Sequence, residues 1–341
     1  MTAPLARSRG AALALVGVVA LLVLAAGVGL FDDSSDSADP AGPSAGSSAP
    51  VDERPSQQPD EEPADEPDDE PSDPSLRRTP NPPPAPGEGI FGRNRTLVAY
   101  YGAAGTGALG VLGEGPPNRE IGRLERAARA FERPDRPVQI VYELIVTVAD
   151  ATPGPDGDYS HDVPRRHVER YLRAARRHDA MLLLDIQPGR ASFPEVAQRW
   201  AWALKDPRVG LALDPEWRMA GGDVPGRVIG SVDASEVNET SLWLANLVRR
   251  ERLPQKLFVL HQFRTSMIER IDRVAVRRRL ATVQHVDGFG TQQQKMATYD
   301  AVLRPKKFHP GFKLFYDEDV GLMSPARVLK VRPRVRFVSY Q

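Results

Sequence analysis

Cysteine is absent from the 341-residue sequence. Its absence excludes disulfide bonds, thiolate metal sites and cysteine nucleophiles. It also excludes attachment to a membrane through a lipid-modified cysteine. Any membrane anchor therefore has to be a segment of the polypeptide itself.

Motifs for metal and nucleotide binding are also lacking. The six histidines show no ligand spacing such as His-Glu-x-x-His, which is typical of many zinc enzymes. A Gly-rich loop follows the first predicted strand, but no Lys-Ser or Lys-Thr pair of a phosphate-binding loop comes after it. We therefore expect no metal ion and no cofactor.

The formal net charge is zero, but the charges are segregated along the chain. Residues 31–90 carry 16 acidic and 3 basic residues, a net of −13, whereas residues 91–341 carry a net of +11. The arginines of the basic part are spread along predicted helices in pairs and triplets, as on solvated helix faces. We expect no nucleic-acid partner.

A long apolar run lies near the N-terminus. Residues 11–30 contain neither charge nor proline, and Arg7 and Arg9 precede them. About twenty apolar residues are enough to cross a bilayer, and the positive flank predicts that the rest of the chain lies outside the cytoplasm. We expect residues 1–31 to be an uncleaved signal anchor in the cell membrane, with a cleaved signal peptide as the alternative.

Residues 32–95 are rich in Pro, Ser, Asp and Glu. Such a segment has too little apolar surface to offset the entropy lost on ordering, so we expect a disordered acidic linker. The third predicted region, residues 96–341, is a folded domain.

The folded region alternates between strand and helix patterns. Eight strands separated by helices over about 250 residues are typical of a (β/α)8 barrel of the TIM type. An open doubly wound sheet is the alternative. The predicted strands are Leu97–Tyr101, Val138–Val148, Ala180–Ile186, Val209–Asp214, Lys256–His261, Ala281–Asp287, Phe312–Tyr316 and Val335–Tyr340. The predicted helices are Glu120–Phe131, Pro164–His178, Phe193–Leu204, Ala234–Arg250, Ser266–Leu280, Thr291–Leu303 and Pro325–Val331.

The segment Val209–Trp217 is a short apolar strand that ends in two carboxylates, Asp214 and Glu216. If the backbone stays extended through Pro215, the two side chains project to the same face. Two close carboxyl groups resist ionising together, so that one can donate a proton beside an ionised partner. The alternative is that Asp214 caps the next segment and Glu216 is merely solvated.

Polar and aromatic residues follow nearly every predicted strand. In a barrel these positions form the active face, and rings with carboxylates suit a polyhydroxylated ligand. Asp185 joins Asp214 and Glu216 as a catalytic candidate. The substrate-binding candidates are Tyr101, Trp217, His261, Gln262, Asp287, Lys313, Tyr316, Asp317 and Tyr340.

Several of these residues have simpler interpretations. Asp185 and Asp287 can cap turns, and His261 and His285 are more often hydrogen-bonded interior residues than ligands. Lys313 lies within a predicted strand and would need a carboxylate such as Asp214 as counter-ion if it points inward.

The segment Val209–Trp217 resembles barrel-type glycoside hydrolases, in particular the chitinase-like family with its Asp-Gly-x-Asp-x-Asp-x-Glu signature. Gly210, Asp214 and Glu216 match the signature, whereas Val209 and Ala212 stand where it has aspartates. The related barrel lysozymes carry an Asp on the first strand that this sequence lacks. The resemblance implies that Glu216 is the general acid and that Asp214 sets its pKa, with Asp185, Asp317 or Tyr316 on the opposite wall.

The Ala-, Arg-, Gly- and Pro-rich composition resembles that of actinobacterial envelope proteins. We therefore expect an anchored extracytoplasmic glycosidase that acts on envelope polysaccharide or peptidoglycan. A carbohydrate-binding pseudo-enzyme and a structural envelope protein are the alternatives.

Overall fold

The computed structural model describes residues 87–341. The predicted signal anchor and most of the predicted linker lie outside this range. Within it, no helix combines the length and apolar character needed to cross a bilayer.

Eight parallel strands close into a barrel, because β1 pairs with both β2 and β11. The predicted barrel is therefore confirmed over the open sheet, which would leave two edges. Around the ring the strands are β1 (Thr96–Ala103), β2 (Val138–Ala149), β4 (Met181–Ile186), β5 (Val209–Leu213), β7 (Lys256–Gln262), β9 (Leu280–Val286), β10 (His309–Leu314) and β11 (Phe337–Tyr340). Three short strands lie outside the ring: β3 (Ser160–Asp162), β6 (Val232–Asp233) and β8 (Ile268–Glu269).

Helices follow most of the barrel strands and cover the outside. They are α1 (Pro117–Arg129), α2 (Arg165–Arg177), α3 (Phe193–Arg199), α4 (Ala201–Leu204), α5 (Ala234–Arg250), α6 (Gln292–Val302) and α7 (Pro325–Val328). Ser192 caps α3, because its side chain accepts a hydrogen bond from the Glu195 N–H.

The predicted helix Ser266–Leu280 is wrong. This segment contains two 3-10 turns and the short strand β8. Side chains of α5 hold it in this form: Asn238 accepts a hydrogen bond from the Ala275 N–H and donates one to the Arg273 carbonyl, and Ser241 accepts one from Arg277. These tertiary bonds override the local helical pattern.

The N-terminal end of the barrel is covered by residues that we predicted to be linker. Ile90 and Phe91 are buried against the interior apolar residues. The Ile90 N–H donates a hydrogen bond to Gln255, and the Arg95 guanidinium donates one to the Ile90 carbonyl. The folded unit thus includes residues before position 96.

Gly210 allows close packing inside the barrel. A Cβ at this position would lie 2.6 Å from the Leu257 carbonyl oxygen and 3.1 Å from Leu183 Cδ1. We expect Gly210→Ala to lower the free energy of unfolding by about 2 kcal/mol, because overpacking forces the strands apart. Urea unfolding measures the change. Gly221→Ala is the control, since a Cβ there meets no atom within 4 Å, and an equal effect of both substitutions would contradict this account.

Candidate active site

Side chains that point into the barrel form two layers, because inward and outward residues alternate along each strand. The layer towards the N-terminal ends of the strands is apolar. It consists of Leu97, Ala99, Val141, Met181, Leu183, Ala212, Leu257, Val259, Ala281, Val283 and Phe337.

The layer towards the carboxyl ends is polar. On each of the eight strands, the next inward position after the apolar layer holds a polar residue. This residue belongs to the strand or directly follows it. We name this set the polar ring, and all its members are buried: Tyr101, Glu143, Asp185, Asp214, His261, His285, Lys313 and Ser339.

His261 lies among three carboxylates of the polar ring and its surroundings. Its Nδ1 donates a hydrogen bond to Asp287 Oδ2 at 2.9 Å, and its Nε2 lies 3.2 Å from Glu143 Oε1 and 3.8 Å from Asp185 Oδ1. Burial acts to lower the pKa of His261, but the carboxylates outweigh it and the pKa is raised well above its usual value. His261 is thus held as a cation.

Asp185 is fixed by Tyr101. The Tyr101 hydroxyl donates a hydrogen bond to Asp185 Oδ2 at 2.9 Å and accepts one from Gln187 Nε2 at 3.3 Å. Lys313 Nζ lies 3.4 Å from the centre of the Tyr101 ring, a cation–π contact. Burial raises the pKa of Asp185 to about 6, against the opposing effect of the positive His261.

Asp214 and Glu216 lie on a turn and not on an extended strand. Residues Pro215–Trp217 form a 3-10 turn, closed by a hydrogen bond from the Trp217 N–H to the Asp214 carbonyl. The backbone is therefore not extended through Pro215, and the condition for the predicted period-two relation between the two carboxylates is not met. Asp214 is buried within the ring, whereas Glu216 is half-buried at its mouth.

Both carboxyl groups of this turn hold their protons strongly. Burial, together with the negative charges of Asp185 and Asp287, raises the pKa of Asp214 to about 8. Burial and the neighbouring Asp214 raise the pKa of Glu216 well above its usual value. His261 and Lys313 act in the opposite direction on both groups. At neutral pH the pair is a source of protons.

A glycine fixes the backbone of this turn. The Gly230 N–H donates a 2.7 Å hydrogen bond to the Glu216 carbonyl. A Cβ on Gly230 would lie 2.7 Å or less from the carbonyl oxygens of Pro215, Glu216 and Arg218. The close approach that only glycine permits here holds Glu216 at the mouth of the ring.

Several buried polar atoms of the site make no hydrogen bond. Most buried polar groups in proteins are hydrogen-bonded, and unpaired ones concentrate where a ligand or function requires them. Here they are Glu143 Oε1 and Oε2, Asp185 Oδ1, Asp214 Oδ1, His261 Nε2, His285 Nδ1 and Asp287 Oδ1.

Comparison with known proteins identifies no family. The sequence matches no protein-family model, and no curated protein matches it. The fold is similar to that of a GH5-4 broad specificity endoglucanase from an uncultured bovine rumen ciliate, with 11% identity and a TM-score of 0.31, covering 59% of this chain and 72% of that one. A similarity at this TM-score gives no evidence on fold or function beyond the closed barrel described above.

The structure brings seven of the predicted site residues together. They are Tyr101, Asp185, Asp214, Glu216, His261, Asp287 and Lys313. Trp217 follows Glu216 on the same turn and is half-buried. Lys313 points inward as the sequence suggested, with the face of Tyr101 beside it.

Four predicted residues lie elsewhere. Gln262 is on the outward face of β7, where it accepts a hydrogen bond from Gln284. Tyr340 packs on the outer side of the barrel against Tyr100 and Phe131, and the exposed Tyr316 stacks on it. Asp317 is exposed beyond β10.

Sequence reasoning did not select Glu143 or Ser339, and it weighed His285 only as an interior residue. Glu143 had a signal, because it is the one charged residue within the twelve residues of β2. Its spacing of two from Val141 places it on the inward face. Ser339 carries no comparable signal, since a serine in a strand is common on either face.

The Gly-rich loop after β1 places glycines at 105, 107 and 110, which is the spacing of a dinucleotide-binding loop. In that motif the glycines open a helix directly after a strand. Here residues Gly107–Leu109 and Val111–Gly113 form 3-10 turns, and α1 begins only at Pro117. The loop therefore lacks the helix N-terminus that would bind a pyrophosphate.

Proposed function

We propose that this protein hydrolyses glycosidic bonds, with Glu216 as the general acid. The observation that carries the proposal is the position of Glu216: a half-buried carboxyl group two residues after the buried Asp214, with a pKa that burial and the charge of Asp214 raise. A general acid has to be protonated at the working pH and within reach of a substrate, and Glu216 meets both conditions.

In the proposed reaction the Glu216 carboxyl group gives its proton to the glycosidic oxygen as the bond from that oxygen to the anomeric carbon breaks. Water supplies the hydroxyl group that the anomeric carbon gains, and the remaining proton of that water returns to the carboxylate pair. Asp214 in its ionised form stabilises the positive charge that develops on the sugar ring. Each turnover thus leaves the enzyme in its starting state.

Asp185 supplies a carboxylate that the chitinase-like signature places elsewhere. In the sheet, Asp185 of β4 is paired in register with Ala212 of β5. Ala212 is one of the two positions where the signature has an aspartate. The neighbouring strand therefore supplies a carboxylate beside the substituted position, in the polar ring next to the apolar layer that contains Ala212, which supports catalysis in spite of the substitution.

The substrate that we propose is an envelope polysaccharide or peptidoglycan. Trp217 adjoins Glu216 and offers an aromatic surface for a sugar ring. The apolar run at residues 11–30 would hold the domain at the outer side of the cell membrane, close to such polymers.

A carbohydrate-binding pseudo-enzyme is the second candidate. The absence of the signature aspartate at Ala212 favours it. Binding of an envelope glycan without turnover, undiminished by Glu216→Gln, would support this alternative.

The two raised pKa values predict an alkaline pH optimum. The productive state has Glu216 protonated and Asp214 ionised, and Asp214 remains protonated below its pKa of about 8. We therefore expect kcat/KM to rise with pH as Asp214 ionises near pH 8, and to fall once Glu216, whose pKa burial also raises, loses its proton. Reducing-sugar release measured at a series of pH values gives this profile of kcat/KM. A maximum near pH 5, where ordinary carboxyl groups titrate, would contradict the assignment.

A further inference from the structure

Three potential metal ligands meet in the interior of the polar ring. One donor atom from each of Glu143, His261 and His285 lies within 4.8 Å of the other two. The three residues come from β2, β7 and β9, and each is 0% exposed. The proposed acid chemistry of Glu216 uses none of them.

Each imidazole has one nitrogen engaged and the other without a hydrogen bond. His261 Nδ1 is bonded to Asp287, and His285 Nε2 lies 3.2 Å from Ser339 Oγ. His261 Nε2 and His285 Nδ1 make no hydrogen bond. Metal-bound histidines have this arrangement, because the bond at one ring nitrogen orients the other towards the ion.

The carboxylate of Glu143 also lacks hydrogen bonds. Neither of its oxygens makes a hydrogen bond, although Oε1 lies 3.2 Å from His261 Nε2. The ion pair with His261 engages only Oε1, so Oε2 has lost its hydration without gaining a hydrogen bond. A bound cation would satisfy this oxygen.

The charge of the region also favours a cation. Asp214 and Glu216 hold their protons at neutral pH, so the carboxylates that remain are Glu143, Asp185 and Asp287. They outnumber the one cationic side chain, Lys313, that is left when a metal ion replaces the second proton of His261. A divalent ion would offset the excess in a place where solvent does not screen it.

We propose that Glu143, His261 and His285 bind one divalent transition-metal ion. The ion takes the place of the second proton of His261, because only a neutral imidazole binds a metal. Two imidazoles and one carboxylate form a donor set that suits Zn²⁺, with a fourth position left for another ligand. Asp185 Oδ1, 3.8 Å from His261 Nε2, is a candidate for that position. Ligand atoms around zinc lie about 3.4 Å apart, so side-chain movements of about 1 Å complete the site.

Gly311 makes room for one of the ligands. A Cβ at this position would lie 2.7 Å from His285 Cδ2. The imidazole therefore rests against the backbone of β10, which restricts it to the orientation described above. A rigidly held ligand favours one geometry over others.

The test uses the purified full-length chain, stripped with EDTA and then titrated with Zn²⁺. We expect one zinc per chain by mass spectrometry and calorimetry. Glu143→Gln and His285→Gln should each weaken binding by more than about 100-fold, and Ser339→Ala, which removes the partner of His285, by about 10-fold. His161→Gln, at an exposed histidine outside the site, should leave the affinity unchanged.

Ser339→Ala retains every ligand, so it tests the site even if a ligand variant fails to fold. Absence of zinc binding in the micromolar range would overturn the proposal. Binding that Glu143→Gln, His285→Gln and Ser339→Ala leave unchanged would overturn it as well. Metal content is measured without substrate, so a failure here is distinct from a failure of the hydrolytic assignment of Glu216.

Discussion

Replacement of Glu216 by Gln is expected to reduce glycan hydrolysis by about 10³-fold, because the amide cannot give a proton to the leaving oxygen. The substitution preserves the size and the polarity of the side chain. Substrate binding should therefore persist, and the loss should appear in kcat and not in KM. Steady-state kinetics on the best glycan substrate measure both parameters.

The matched control is Glu239→Gln, at an exposed position of α5. It makes the same chemical change outside the site and should leave kcat unaltered. Equal activity of the two variants would remove Glu216 from the mechanism. A rise in KM with an unchanged kcat would make Glu216 a binding residue and not the acid.

Replacement of Asp214 by Asn is expected to stabilise the protein while abolishing activity. The folded state holds the Asp214 proton up to a pH of about 8, whereas the unfolded chain releases it near pH 4. Between these values the folded state binds more protons, so the free energy of unfolding falls as pH rises. At pH 8 the variant should be more stable than the wild type by about 5 kcal/mol, and towards pH 4 the difference should become small.

Urea unfolding at a series of pH values between 4 and 8 measures this difference. Asp300→Asn, at an exposed position of α6, should leave the pH dependence unchanged. A stability difference between Asp214→Asn and the wild type that does not depend on pH would contradict the raised pKa. Greater stability with lost activity is the combination expected of a residue retained for function.

The barrel could be predicted from the sequence because its signals are local. Buried parallel strands read as short apolar runs with turn residues between them, and all eight such runs became barrel strands. The segment 266–280 shows where this reasoning fails. Its shape depends on hydrogen bonds that Asn238 and Ser241 of α5 accept from it, and these residues are remote in the sequence.

The site could be predicted only in part. Asp214, Glu216 and His261 follow or end apolar strands, and polar residues at this position indicate the active face of a barrel. Gln262 and Tyr340 met the same criterion, yet each lies next to an inward-facing residue, His261 and Ser339, and so points to the opposite face. Strict use of the two-residue period would have excluded both.

The convergence of Glu143 with His261 and His285 could not be predicted from spacing. These ligands are separated by whole βα units, and their proximity arises when the sheet closes. Motif searches detect metal sites on one helix or loop, where the spacing is fixed by local geometry. A site assembled inside a barrel has no such spacing.

The most direct test is the release of reducing sugar from purified envelope polysaccharides and peptidoglycan by the wild-type chain at pH 8. The hydrolytic assignment predicts release that increases with time and disappears in Glu216→Gln. No release from any of these glycans, with binding retained, would contradict hydrolysis and leave a carbohydrate-binding protein.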